Sequence, residues 1–412
     1  MNKPKKGNIK MKRMMAVGVM AVTLGGYGMA QTNVQKPAAE PVTLEQVKAL
    51  IPKTWADSVT VKGDLRYRYE SINDDSKKDA NKETYTRQRD RVRARLVAEA
   101  KVNDKVKGGV GLSTGGNDPI SGNQTMGDGG TKKDMKLDLA YIDYSVIGDA
   151  TANEIHVIGG KMKNPFITLN DDLMWDGDLS PEGLALKSQF GNDVVTVYGN
   201  AAHMWIQERD SKDAAKLFAA QGAAKFQFAP EVSLTVGAGY FDFQNMKGYD
   251  VMDWEGKNNG YGNSTTKGTV SGTTTNKAWA TEFTPVMYFA SLDFWVAGVP
   301  VSIFGQELSN TDADKLDQGH LYGISLGKAK RVGTLEVGYS HAELEKDATV
   351  GMWTDSDRWG GGTDGKGHKV YAKYALTKNV TLGATYFKDD KGIASGKATD
   401  YDRMQLDLVA AF

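Results

Sequence analysis

Cysteine is absent from the 412 residues, which removes the lipid attachment point of a lipoprotein. Proline is scarce, with 10 against 47 glycines, and the mean hydropathy of −0.45 lies on the polar side. No run of eighteen apolar residues occurs, so the chain is not a helical membrane protein. A membrane β-barrel passes that test, because only half of each strand faces lipid. Net charge is also missing: 51 basic residues balance 51 acidic ones, which argues against a general nucleic-acid binder. Balanced totals can still conceal a separation of charge inside the molecule.

Such a separation is present in the stretch 84–101, TYTRQRDRVRARLVAEAK, where Arg87, Arg89, Arg91, Arg93 and Arg95 recur at every second residue. In a strand these five guanidinium groups share one face, and Val92, Ala94, Leu96 and Ala98 share the other. The first face needs water and counter-charges, and the second needs an apolar medium. A barrel with a wet lumen supplies both.

The N-terminal residues read as a secretory signal. Lys5, Lys6, Lys10, Lys12 and Arg13 precede an apolar run over 14–24, and Gly28, Met29 and Ala30 offer the small residues of a cleavage site. A signal peptide is therefore expected over 1–30. A tether with a short helix from Thr43 to Ile51, on the periplasmic side, is expected over 31–58.

From residue 59 onward, segments of about ten alternating polar and apolar residues are separated by connections. The pattern predicts sixteen strands: 59–70, 85–101, 105–114, 136–147, 154–163, 183–190, 193–207, 214–228, 232–243, 278–297, 301–308, 319–328, 334–344, 368–376, 380–388 and 401–412. Short and long connections alternate strictly, so successive hairpins open toward two chemically different ends. Short periplasmic turns and long outer loops produce that asymmetry in an outer-membrane barrel. The fold class expected is all-β, a transmembrane antiparallel β-barrel over 59–412. Tyr67, Tyr69, Trp205, Tyr240, Phe241, Trp295, Tyr339, Tyr386 and Phe387 sit toward strand ends, where interfacial aromatic girdles belong. Between Leu139 and Asp143 the alternation breaks, which points to a bulge. The last strand, YDRMQLDLVAAF, is amphipathic and stops on Phe412, similar to the terminal signal read by the barrel assembly machinery.

The passages GDLRYRYE, RQRDRVRARLVAEAKVNDKVKGGVGLSTGGNDPISGNQT, LDLAYIDY, GGKMKNPF and WDGDLSPEG resemble the putative porin family of outer-membrane channels. They cover mainly the first half of the barrel. The resemblance implies sixteen strands, passive diffusion of small hydrophilic solutes and ions, homotrimers in outer-membrane lipid and lipopolysaccharide, and no enzymatic activity or cofactor. In general porins the third loop folds inward and narrows the pore.

Here the third long loop, 164–182, carries Asp171, Asp172, Asp176 and Asp178. These four carboxylates are expected to face the arginine row, with Arg66 and Arg68 extending the basic wall and Lys161 and Lys163 entering the loop. A basic wall opposite acidic groups across a narrow gap gives a transverse field that favours polar solutes. The alternative places this loop outside as a solvated surface loop.

Other chemistries fit less well. An EF-hand alignment puts Met174 at a ligand position and supplies no glutamate at the twelfth place, so calcium is not expected. His156, His203, His320, His341 and His368 lie on separate strands without paired spacing, and no metal site is expected. Ser340 and His341 are adjacent in a strand and point to opposite faces, which excludes them as nucleophile and base. An anion- or phosphate-preferring porin, and a non-conducting adhesin or structural barrel using loops 244–277 and 345–367, stand as the competing readings.

Overall fold

A computed structural model describes residues 58–79, 83–148, 153–252, 254, 260–270 and 273–412. The expected signal peptide and tether helix lie outside the described residues. Sixteen long strands form one antiparallel sheet: β1 (Val59–Lys78), β2 (Thr84–Lys101), β3 (Val106–Thr114), β4 (Met135–Ile147), β5 (Glu154–Lys161), β6 (Glu182–Gly191), β7 (Val195–Gln207) and β8 (Ala215–Ala229). They continue as β9 (Val232–Gln244), β10 (Pro285–Val296), β11 (Val299–Asn310), β12 (Gln318–Gly327), β13 (Leu335–Leu344), β14 (Gly365–Thr377), β15 (Val380–Lys391) and β16 (Thr399–Ala411). Each strand pairs with its neighbours in sequence, and β1 pairs with β16 from Asp64↔Ala411 to Asp74↔Tyr401, which closes the barrel. Closure removes both sheet edges, so every strand's backbone groups find partners without water, as a spanning structure requires. Phe412 extends the seam: its backbone N–H and C=O both bond to Gly63, at 3.0 and 2.9 Å.

Alternation fixes the two faces. In β1 and β2, Leu65, Tyr67, Leu96 and Ala98 point outward and are exposed, whereas Arg68, Glu70 and Arg93 point inward and are buried. The irregularity expected in β4 is a bulge: the register against β3 shifts between Gly111↔Leu139 and Leu112↔Leu137. Leu137 therefore faces out, and Leu139, Tyr141 and Asp143 face in.

Three expectations need correction. β1 continues eight residues past Glu70 to Lys78. The run SINDDSKK looked like a loop because it lacks an apolar face, but a strand extending beyond the bilayer meets water outside as well and needs none. The single strand expected over 278–297 is instead two elements, since Thr273–Trp279 pairs with Thr265–Val270 in a loop hairpin and the barrel strand starts at Pro285. Proline tolerates this first-strand position because its missing N–H is not needed there. Phe241 and Phe387 are not girdle residues: they are buried in the interior, while their neighbours Tyr240 and Tyr386 are exposed outside.

The interior has two characters. Many inward positions of β6 to β13 are apolar, among them Met204, Leu217, Phe241, Phe243, Met287, Phe304 and Leu321, which form one core with residues of two loops, and uncharged polar residues such as Gln221, Gln306 and Ser340 lie between them. Inward positions of β1, β2 and β16 carry charge.

Candidate functional site

The connection from β5 to β6 is long enough to cross the lumen, and its side chains match the apolar half of the wall. Phe166, Leu173, Met174, Trp175 and Leu179 are all buried. Trp175 lies 5.7 Å from Phe166, 5.6 Å from Phe241 on β9 and 5.8 Å from Trp353, measured between ring centroids. At roughly 1.5–3 kcal/mol per large apolar side chain, five such residues supply about 10 kcal/mol of gross driving force for docking. Polar contacts confirm the path. The Ile167 backbone N–H donates to Gln221 on β8 at 2.7 Å, that of Leu173 to Gln306 on β11 at 2.8 Å, and Ser340 on β13 donates to Asp171 at 2.6 Å. One segment touching inward residues of β2, β8, β11 and β13 must lie within the closed barrel.

A second loop, 345–364, also folds in. Ala348, Val350, Met352, Trp353 and Trp359 are buried, and Asp176 donates its backbone N–H to the Trp353 carbonyl at 2.8 Å. The competing adhesin reading of the sequence expects residues 345–367 as an outer binding loop, whereas the structure turns the loop 345–364 inward. Its DSDR run and flanking tryptophans were the available signal, since paired tryptophans on a solvated loop carry a desolvation gain that water does not satisfy.

The four aspartates have different partners. Asp178 alone reaches the arginine row, 2.9 Å from Arg93 and 3.1 Å from Arg95. Burial would raise its pKa, but these guanidinium groups hold it below the usual carboxylate range. Asp171 points across the lumen to Arg358 at 2.7 Å and Lys369 at 3.2 Å. Burial opposes its ionisation, yet the two cations hold it well below its ordinary value. Asp172 accepts from the Met174 and Trp175 backbone at 2.9 and 3.1 Å and from Gln306 at 3.1 Å; burial pushes its pKa up to about 6. Asp176 accepts from Asp178 N–H at 2.7 Å and Ser356 N–H at 3.0 Å, and burial, with Asp355 and Asp178 nearby, raises it well above normal. Of the four, only Asp178 forms an ion pair with the arginine row; Asp171, Asp172 and Asp176 bond to other partners, although all four line one cavity together with Arg66 and Arg68.

The arginine row is closely compensated. Glu70 accepts from Arg89 at 2.5 Å and from Arg403, and Arg91 lies 3.6 Å away. Asp64 takes Arg93 at 2.9 Å and Arg95 at 2.7 Å. Arg68 holds Asp407 through two bonds of 2.7 and 2.8 Å and meets Asp357 at 3.2 Å. Asp357, which the sequence reading missed, also pairs with Arg403 at 2.8 Å; burial disfavours its charge, but Arg403 and Arg68 keep it ionised. Arg66 donates to Asn123 Oδ1 at 2.6 Å, and among the described residues neither Arg66 nor Arg87 has a carboxylate within 4.0 Å. Lys161 bonds to the Ser180 carbonyl and Glu182 at 2.9 and 3.0 Å, and Lys163 lies 3.7 Å from Asp138, so both serve the base of the third loop.

Open cavities flank this network. A cavity of 1140 Å³ is lined by Arg87, Arg89, Arg91, Lys391, Tyr401 and Arg403, and a second of 430 Å³ by Arg66, Arg68, Asp171, Asp178, Asp357 and Lys369. Asn123 and Ser356 border both. A third, of 540 Å³, reaches Arg95 and the other side of Asp178.

A closed sixteen-stranded barrel whose loops fold inward against a charged wall is the architecture of an outer-membrane porin. The chain belongs to the family described as Putative porin, whose model matches residues 71–266 and 301–412. Among solved structures it is similar to Pseudomonas putida OprB at high pH, with a TM-score of 0.53 and 10% identity over 89% of this chain and 96% of that one. Vibrio cholerae OmpT lacking loop L8 gives 0.47 and 14%, and a triple mutant of Rhodopseudomonas blastica porin gives 0.44 and 9%; each match covers 86% of this chain and 100% of the other. No curated protein matches the chain.

Proposed function

We propose that this protein is a diffusion channel of the outer membrane, admitting small hydrophilic solutes and ions through a gap between the arginine wall and the infolded loops. The observation that carries this reading is Asp178, a loop carboxylate within 3.1 Å of both Arg93 and Arg95 and bordering two of the cavities. Charged groups bordering open cavities order the water there and admit solutes that replace its hydrogen bonds. Arg66, Arg68, Arg87, Arg89, Arg91, Arg93 and Arg95 form the selectivity wall in this proposal, with Asp178 as its counter-charge. Lys161, Lys163, Asp171, Asp172 and Asp176 fix the loop's position. Swelling of liposomes containing the purified protein tests the proposal: uncharged sugars should enter at rates falling steeply with size, and liposomes that swell no faster than protein-free ones would contradict it.

An anion preference is the second reading, favoured by Arg66 and Arg87, whose charges lack a close carboxylate among the described residues. Its test is the sign of the reversal potential in a salt gradient. Export through the signal peptide, recognition of Phe412 by the barrel assembly machinery, contact with lipid and lipopolysaccharide, and homotrimer formation belong to the same proposal and rest on the sequence reading and the family. Exposed outward residues such as Leu65, Leu184, Tyr240 and Tyr322 support the lipid contact.

A further inference from the structure

Three of the chain's five histidines meet on the outward face of three consecutive strands, although they are 21 and 27 residues apart in sequence. In β12 and β13, His320 pairs directly with Glu343, and His341, two residues from Glu343, shares its face. The ring nitrogens of His320 and His341 and a carboxylate oxygen of Glu343 all lie within 4.8 Å of one another. His341 also stands opposite His368 on β14, with ring centroids 4.7 Å apart. Although they lie on separate strands without paired spacing in the sequence, cross-strand register brings them together.

The donor atoms are otherwise unused. His341 Nδ1 is buried with no hydrogen-bond partner. Among the described residues, neither His320 nor Glu343 has a side-chain hydrogen bond, and Lys366, paired opposite Glu343, makes no ion pair with it within 4.0 Å. Glu307, on the other side of His320, likewise makes none. His368 Nδ1 lies 2.9 Å from the Tyr339 hydroxyl, which orients its ring beside the cluster.

Two neutral imidazoles and a carboxylate are the donor set of a divalent transition cation, above all Zn²⁺. Tetrahedral zinc with bonds of about 2.0 Å places its ligand atoms about 3.3 Å apart, so contraction from 4.8 Å requires only side-chain rotation on a rigid sheet. We propose that His320, His341 and Glu343 form a Zn²⁺ site on the outer wall of the barrel, near the ends of β12 and β13 that adjoin the long loops. The site is independent of the channel: Leu321 and Ala342, which alternate with these ligands, face the interior.

The test is calorimetric titration of Zn²⁺ into the detergent-purified protein lacking any histidine tag. One Zn²⁺ per chain is expected, with H320A and H341A each weakening binding at least tenfold and H203A, on β7, leaving it unchanged. Equal binding by wild type, H320A and H341A, or no saturable binding, would overturn the proposal. As a readout that needs no variant, Cu²⁺ bound to the wild-type protein should show electron paramagnetic resonance couplings to two imidazole nitrogens; a spectrum with oxygen ligands alone would overturn it.

Discussion

Replacing Asp178 by Asn removes the one loop carboxylate that lies between Arg93 and Arg95 while keeping its shape and a hydrogen-bond acceptor. In the network as built, eight guanidinium groups (Arg66, 68, 87, 89, 91, 93, 95 and 403) face five carboxylates (Asp64, Glu70, Asp178, Asp357 and Asp407). The substitution leaves four. For an ion passing about 6 Å away through water, one unit charge is worth roughly 0.7 kcal/mol. The cation loses that attraction and the anion loses the matching repulsion, so the anion-to-cation permeability ratio rises by about tenfold in the unscreened limit. At 0.1 M salt, where the Debye length is about 10 Å, the interaction falls to about 0.4 kcal/mol and the ratio to roughly fourfold; near 1 M it should be less than about 1.5-fold. Reversal potentials in tenfold KCl gradients, recorded in planar bilayers, read this directly. An unchanged potential at low salt, or a shift toward cations, would refute the placement of Asp178 beside the ion path.

Removing Arg358 with R358A leaves buried Asp171 with Lys369 as its one paired cation, beside the Ser340 hydroxyl; breaking such a pair costs about 3–5 kcal/mol, so the two loops should loosen and single-channel conductance should rise. Trp175→Ala should cost a similar 3–5 kcal/mol through the lost aromatic contacts, and limited proteolysis should then cut within 164–182 while the wild-type loop resists. Gly362 has φ +88° and a Cβ there would collide with the Tyr261 carbonyl, so G362A should undock 345–364 and raise current noise without unfolding the barrel. Asp172 binds its proton more tightly in the folded protein, with its pKa pushed up to about 6, than in an unfolded chain near 3.8. Docking of the third loop should therefore strengthen as pH falls from 7 toward 4, with Asp176, also raised by burial, adding to the trend, and D172N should weaken it. Below about pH 4 the sign reverses, because Asp171, Asp178 and Asp357, all held low by cations, lose their charge. Protease resistance of the loop as a function of pH checks both limbs.

The barrel was legible because period-two alternation and the alternation of short and long connections act locally along the chain. Sixteen strands follow from them, and even the bulge in β4 shows in the broken pattern around Leu139. The partition of the lumen was less legible. The reading assumed a uniformly polar interior, so it could not use Met204, Leu217, Phe241 and Met287, whose inward positions are apolar because loops cover them. That pattern, large apolar residues recurring on both faces of strands in the middle of the chain, is the sequence trace of an infolded plug. Asp357 and Arg403 escaped for another reason: their partnership with Arg68 and Glu70 depends on barrel closure, which brings residues more than 280 positions apart into contact. The histidine cluster is hidden in the same way, since cross-strand register is a property of paired strands and of neither strand alone.

In the proposed channel, water and ions pass between the arginine wall and the infolded loops. Single-channel recording of the purified protein in planar bilayers tests it most directly. Discrete conductance steps that scale with KCl concentration, and that enlarge in R358A, are the predicted result. Insertion without current, or a conductance indifferent to R358A and D178N alike, would contradict it.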